Sequence, residues 1–280
     1  MSPLPLPPIA EPYHLPFHYG ALHMVGVDWL VDPEPARALL AKQHPALAVA
    51  EFGGRALVSL NFQLYFAQYA TGGGITQEVE FTVLAHPADA AGRVPEVDYP
   101  QYAQGWDQTR LLGIARLHVV CDNPIAIDAG RRLFAEPKYP GWFECSMPSP
   151  NGPPCDAWSV RCRDAHAGPD GALVREPHEL FAFSVDLADL PSVPVNNSPV
   201  TGYGTTAEGR ALAGPMAIHQ PGRWWGFDDR TAERARLTVL DPTGGLGRDL
   251  ADLIGEAPAA GAWSYQSAPV AAHNRPYYLH

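Results

Sequence analysis

Residues 60–66, Leu-Asn-Phe-Gln-Leu-Tyr-Phe, alternate strictly. Leu60, Phe62, Leu64 and Phe66 fall on one side, and Asn61, Gln63 and Tyr65 on the other. A period of two is the β-strand signature, so this spacing predicts a strand with one core face. Residues 77–84 alternate in the same way, with Val79, Phe81 and Val83 opposite Glu78, Glu80 and Thr82. Thr-Gly-Gly-Gly at 71–74 lies between the two segments and predicts the turn of a hairpin. Further strands are expected over 111–121, 156–162, 179–187, 215–220 and 235–240.

Three segments break this pattern. Residues 31–43 predict a helix that Asp32 caps, with Pro33 where a missing N–H costs nothing and Leu39 and Leu40 on the buried face. Residues 123–136 predict a second, opened by Asn123 and Pro124 and stopped by Pro137; residues 246–255 predict a third, closed at Gly255. Runs of strands with a few segregated helices indicate the α+β class, with an antiparallel-rich curved sheet or partly closed β-barrel. The Pro-rich residues 1–20 predict an extended arm lying over the body or a neighbouring subunit, and 21–280 read as a single domain. Residues 191–206 read as a long loop. Residues 241–249, Asp-Pro-Thr-Gly-Gly-Leu-Gly-Arg-Asp, lack the Lys-Ser/Thr ending of a phosphate loop and read as a turn and helix start.

A net charge of -11 with no basic stripe argues against nucleic acid or anionic membrane as a partner, because both are held by clustered Lys and Arg. No apolar run approaches the roughly 18 residues of a membrane span, and the first twenty residues carry no secretion pattern, so a cytoplasmic protein is expected. Cys121, Cys145, Cys155 and Cys162 are too widely spaced for a metal knuckle and are expected as reduced thiols. His14, His18 and His23 sit among prolines that offer no regular element to converge them. No metal or cofactor is expected. The Asn196-Asn197-Ser198 sequon carries no meaning in such a compartment.

The basic residues pose the chemical question. Of nineteen, only two are lysines, Lys42 and Lys138. Lys42 falls near the polar C-terminal end of the first helix, where a cation suits the helix dipole. Lys138 stands between Pro137 and Pro140, so its backbone is restricted on both sides. Where arginine has replaced nearly every lysine, a lysine persists where arginine cannot act, as in Schiff-base chemistry. A nucleophilic amine requires a pKa well below about 10.4. Phe134, Tyr139, Trp142 and Phe143 could desolvate Lys138, and Arg131 and Arg132 lie at helical distance, so a lowered pKa is expected.

Residues 122–142, Asp-Asn-Pro-Ile-Ala-Ile-Asp-Ala-Gly-Arg-Arg-Leu-Phe-Ala-Glu-Pro-Lys-Tyr-Pro-Gly-Trp, resemble the active-site stretch of the acetoacetate decarboxylase superfamily. The early helix with its following strand and the closing strand, helix and strand near the C-terminus are similar to that family too. The resemblance is weakest over 146–215. It implies that Lys138 forms an imine with a substrate ketone, a use of lysine for which acetoacetate decarboxylase is the standard example. It implies that Glu78 handles protons beside that imine, although Glu80 shares its strand face.

The chain departs from the family pattern at several places. Tyr139 replaces a second lysine, Asn61 replaces a second carboxylate, and Phe134 stands where some branches have glutamine. An arginine expected near the N-terminal strand has no counterpart, and His23 is the nearest polar candidate. Asn61, Gln63, Tyr65, Phe134, Tyr139 and His23 are the expected substrate contacts. The implied activity is a lysine-imine lyase on a small oxo acid, by aldol and dehydration chemistry in secondary metabolism. Decarboxylation of a 3-oxo acid and a non-catalytic binding module are the alternatives. A homo-oligomer is expected.

Overall fold

A computed structural model describes residues 5–69, 72–148, 156–219 and 221–279. The first half comprises β1 (Phe17–Val31), α1 (Pro33–Gln43), β2 (Leu47–Val49), β3 (Glu51–Phe52), β4 (Arg55–Tyr69), β5 (Gly72–Pro87), α2 (Tyr99–Ala103) and β6 (Gly113–Cys121). Then come α3 (Pro124–Phe134), β7 (Lys138–Ser146), β8 (Ala157–Ala167), β9 (Leu173–Asp186), β10 (Val193–Asn196), β11 (Val200–Thr205) and β12 (Ala211–Met216). The chain closes with β13 (Pro221–Gly226), β14 (Ala235–Val239), α4 (Gly245–Leu253), β15 (Ala259–Ser267), β16 (Val270–Ala272) and β17 (Tyr277–Tyr278).

Long antiparallel strands form the body in the order β10–β13–β15–β1–β4–β5–β6. At β6 the sheet forks. On its far edge, residues 114–115 pair in parallel with β11, which continues into β12 and β17, while residues 119–121 pair in parallel with β7. From β7 a second antiparallel sheet runs through β8 and β9 to β14. The result is a large mixed, curved sheet with few helices, not closed by hydrogen bonds. None of the helices among the described residues is long and apolar enough to cross a membrane.

Alternation sorts the side chains into two layers. Val25 and Val27 of β1, Leu60 and Phe62 of β4, and Val79 and Phe81 of β5 pack outward against Val160, Phe181 and Phe183 of the second sheet and against Leu40 and Leu250 of α1 and α4. The opposite face of β1, β4 and β5 curves around a cavity. That face was expected from the pattern to be the polar one, and it is polar because it lines the cavity wall. The apolar face is not uniform: Leu60 and Phe62 are buried, whereas Phe66, near the hairpin, is exposed.

Caps explain the helix ends. Asp32 accepts from the Glu34 N–H, and Asn123 accepts from those of Ile125 and Ala126. At its far end α3 stops at Ala135, whose φ of 53° is left-handed, before Pro137.

Four expectations need correction. The 191–206 segment is no loop: it forms β10 and β11, held by pairing with β13, β12 and β6 although its prolines and glycines read as breakers. Gly72 to Gly74 are strand residues of β5, and Thr71, the rest of the expected turn, lies outside the described residues. The strand expected over 215–220 ends at Met216. Residues 17–20 of the expected arm belong to β1, which pairs with β16 and β4. Cys155 lies outside the described residues, and Cys121, Cys145 and Cys162 are free thiols.

Candidate active site

Lys138 opens β7, opposite Val119 on β6. Its position is set from three directions: its N–H donates to the Glu136 carbonyl at 2.8 Å, its own carbonyl accepts from Arg131 Nε at 2.5 Å, and Val119 N donates to the Pro137 carbonyl at 3.2 Å. Arg131 thus fixes the backbone of the lysine. The side chain runs beneath the last turns of α3. A Cβ at Gly130 would overlap the Glu136 carboxylate and come within 2.8 Å of Lys138 Cδ, so glycine leaves both side chains their present path and a larger residue would have to displace them.

The amine reaches Glu78, with Lys138 Nζ 2.5 Å from Glu78 Oε2 and both side chains buried. Tyr65 donates to Glu78 Oε2 at 2.9 Å and Gln63 Nε2 to Oε1 at 3.0 Å, so β4 orients the carboxylate on β5. Asp122 ties α3 to the same strand, accepting from the backbone and side chain of Gln77 at 2.7 and 3.0 Å. Asn123 adds a bond to Thr76 Oγ1 at 2.9 Å.

Two residues absent from the expected set complete the cluster. Glu136 Oε2 lies 3.4 Å from Lys138 Nζ. Arg116, buried on β6, binds Glu80 at 2.6 Å and lies 3.7 Å from Glu136. The ambiguity between Glu78 and Glu80 resolves by partner: Glu78 meets the lysine and Glu80 meets the arginine. Arg116 thus brings a cation to the cavity from β6. A buried arginine at one inward position of a strand whose neighbours are apolar was the readable signal for it.

Electrostatics reverse one expectation. Burial pulls the Lys138 pKa down, but Glu78 and Glu136 outweigh it and hold the amine above the ordinary lysine range. The reason is that the nearest charges are carboxylates contributed by other strands and by residue 136, and not the arginines of α3. Burial raises Glu78, with Lys138 opposing it and Glu136 and Glu80 adding to it. Burial acts upward on Glu136 too, yet Lys138 and Arg116 bring it below the usual value. With three carboxylates facing two cations, a proton is most readily gained at Glu78.

Of the expected contacts, Asn61, Gln63, Tyr65 and Phe134 line the cavity with Lys138 and Glu78. Two do not. Strand alternation sends Tyr139 to the other side of β7, where its hydroxyl lies 3.1 Å from His118 Nδ1, and Asp249 holds His118 Nε2 at 2.7 Å. His23 is likewise on the outward side of β1, between Leu22 and Met24, which line the cavity; it lies 2.7 Å from Gln266 Nε2. Tyr19 and Tyr69 take the places around the lysine end, with phenols that burial pushes up. The cavity volume is about 230 Å³. Among the described residues no group of three or more His, Cys, Asp or Glu could hold a metal ion.

Compared by sequence, the chain matches no family model and no curated protein. Compared by structure, it is similar to the enduracididine biosynthesis enzyme MppR in complex with pyruvate, with a TM-score of 0.63 at 15% identity over 95% of this chain and 90% of that one. MppR with the condensation product of pyruvate and imidazole 4-carboxaldehyde matches with a TM-score of 0.59 at 15% identity, over 94% and 89% of the two chains. Acetoacetate decarboxylase from Legionella pneumophila matches with a TM-score of 0.56 at 10% identity, over 99% and 92%. The chain therefore has the acetoacetate decarboxylase-like fold. The solved proteins named here that share it are enzymes.

Proposed function

We propose that this protein is a Schiff-base-forming lyase acting on a small oxo acid, with Lys138 as the nucleophile and Glu78 as the general acid and base. The observation that carries this reading is the 2.5 Å contact between a buried amine and a buried carboxylate on a cavity wall. Passing one proton from Lys138 to Glu78 converts the ion pair to a neutral amine and a neutral acid. Away from water such a neutral pair competes with the charged one, because each ion loses its hydration. The chemistry therefore needs no globally lowered lysine pKa.

The free amine adds to the ketone carbon, and Glu78 protonates the departing hydroxyl, releasing water and leaving a protonated imine. The Glu78 carboxylate then removes a proton from the adjacent carbon, and the electrons move into an enamine. The enamine attacks an aldehyde carbon, and the resulting alkoxide takes the proton back from Glu78. Loss of a second proton and of that hydroxyl expels water, and hydrolysis of the imine frees Lys138. The net change is oxo acid plus aldehyde to unsaturated oxo acid plus water. Likeness to an enzyme solved with pyruvate and with a pyruvate–aldehyde condensation product supports this reaction over others that use an imine.

The test is reductive trapping. Incubation with pyruvate or acetoacetate and borohydride, followed by peptide mass mapping, is expected to mark Lys138 and to leave exposed Lys42 unmarked; with two lysines in the chain the map has two outcomes. No adduct at Lys138 across a panel of oxo acids would leave a binding module. Carbon dioxide release from 3-oxo acids, without condensation, would make the protein a decarboxylase.

A further inference from the structure

The cavity extends well beyond the lysine. On β4 its wall continues from Gln63 through Asn61 and Ser59 to Leu57, and on β1 it reaches Asp28. Gln63 pairs with Glu78, and Ser59 pairs with Asp28. The Asp28 row therefore lies about 13 Å along the strand from the Glu78 row, at roughly 3.3 Å per residue.

Asp28 is only 4% exposed. Its Oδ1 accepts from Ser59 Oγ and from Trp263 Nε1 at 3.3 Å, and its Oδ2 accepts from Tyr99 at 3.0 Å. All three donors are neutral. The other buried carboxylates on this wall are otherwise provided for: Glu78 has Lys138, Glu80 has Arg116, and Glu136 has both. Asp107 accepts backbone N–H bonds from Thr109, Arg110 and Leu112. Two more arginines line the cavity and leave Asp28 alone. Arg110 donates to the carbonyls of Asn197 and Ser198, and Arg223 donates to Ser192, faces Asp156 and stacks on Trp225. Asp28 is thus a buried carboxylate with no ion pair among the described residues.

A second observation points the same way. Asn61 is 4% exposed, lies between Gln63 and Ser59 on the same wall, and its Oδ1 has no hydrogen-bond partner. Its Nδ2 donates to Glu80, so turning the amide over would set oxygen against a carboxylate. An unfilled acceptor lies midway, and an uncompensated negative charge lies at the end. The walls beside that charge are Trp224, Trp263 and Tyr102. A carboxylate bounded by aromatic faces suits a flat, delocalised nitrogen cation, which can donate to the one and stack on the others.

We propose that the distal end of the cavity is a subsite for an amidinium- or guanidinium-type cation on the carbonyl co-substrate, with Asp28 as its counter-charge and Asn61 Oδ1 accepting a hydrogen bond on the way. This rests on the imine reading for its role in the reaction, and the binding itself can be measured without it. The co-substrate then carries its carbonyl and its cation at opposite ends of a molecule spanning most of that about 13 Å.

Trp224 and Trp263 report on the subsite, so tryptophan fluorescence of the full chain can be titrated with benzamidine and with its neutral counterpart benzamide. Benzamidine is expected to bind about ten-fold more tightly or better in the unmodified protein, as an ion pair in an aromatic site would give. Asp28→Asn is expected to bring the two within about two-fold, whereas Glu78→Gln keeps the preference, which places the cation at the distal end. Equal affinities in the unmodified protein, which require no variant to fold, overturn the proposal, as does a preference that survives Asp28→Asn. Pyruvate trapping at Lys138, run in parallel, reads the imine reading alone. A preference without trapping removes that reading and leaves the subsite; trapping without a preference does the reverse.

Discussion

Lys138 and Glu78 meet across β6: the lysine is carried by β7 on one edge of that strand and the glutamate by β5 on the other, and their charged atoms are 2.5 Å apart. Because each residue is held by pairing to the same strand, their separation is a property of the sheet and not of a loop. Proton exchange between them requires no rearrangement of the backbone, which suits a carboxylate that must serve several successive proton transfers.

Replacing Glu78 by glutamine removes the proton acceptor while Glu136 still faces the amine. Turnover is expected to fall by about 10²–10⁴-fold, the usual worth of a positioned acid–base group. Borohydride trapping of pyruvate at Lys138 is expected to persist, more slowly, since the nucleophile remains. Steady-state assay and mass mapping of the same preparation separate the two effects. Turnover within a few-fold of the unmodified protein would move the proton-transfer role elsewhere.

Gly130→Ala puts a methyl group where the Lys138 side chain passes α3. The helix is fixed by its cap on Asn123 and the lysine backbone by Arg131, so the overlap falls on the side chains of Glu136 and Lys138. Overpacking of this kind costs about 1–3 kcal/mol. Trapping at Lys138 is expected to fall far more than unfolding in urea shifts. An alanine variant that traps pyruvate at the normal rate would show that the passage is wider than the contact implies.

Much of the architecture was legible because both β4 and β5 alternate with a strict period, and Asn123, Pro124 and Pro137 bracket α3 by caps and breakers that act locally. Glu78, Asn61, Gln63 and Tyr65 share a face for the same reason. What could not be read depends on pairing. Tyr139 and His23 sit one residue from inward positions, and a single step along a strand reverses the face. Residues 191–206 look like a loop because Pro, Gly and Asn dominate them, and they become strands by taking edges supplied by β13, β12 and β6. The Lys138 pKa followed the same rule: Glu78 comes from another strand and Glu136, two residues away in sequence, is turned onto the amine by the fold, whereas the flanking aromatic and arginine residues had suggested a lowered value.

Glu136 offers the direct test of that electrostatic point. Its carboxylate helps hold the Lys138 ammonium, so Glu136→Gln is expected to lower the lysine pKa and shift the pH profile of pyruvate trapping toward lower pH. In the unmodified protein the trapping rate should rise as pH rises through the raised Glu78 pKa, because only an ionised Glu78 can take the proton from the amine, and Glu136 adds to that raised value. Rates of adduct formation measured by mass spectrometry between pH 6 and 9 decide it. An unmoved profile would mean that Glu78 alone sets the protonation of the pair.

Asp28 makes a prediction about stability. Burial raises its pKa from 3.8 to about 6, against the opposing hydrogen bonds from Ser59, Tyr99 and Trp263. Between these values the folded protein binds the proton more tightly than the unfolded chain does. Stability from this group is therefore present at low pH and is lost as pH rises through about 6. The full loss amounts to about 3 kcal/mol, at 1.36 kcal/mol per unit. Asparagine at this position has no charge to bury, so Asp28→Asn should gain stability relative to the unmodified protein as pH is raised from 4 to 7. Urea unfolding at both values, compared between the two proteins so that other titrating groups cancel, measures the difference. A constant difference would mean that Asp28 ionises as readily folded as unfolded and already has a counter-charge. The predicted change instead marks a carboxylate kept ionised at neutral pH at the expense of the fold, which is the condition for a cation that arrives with the substrate.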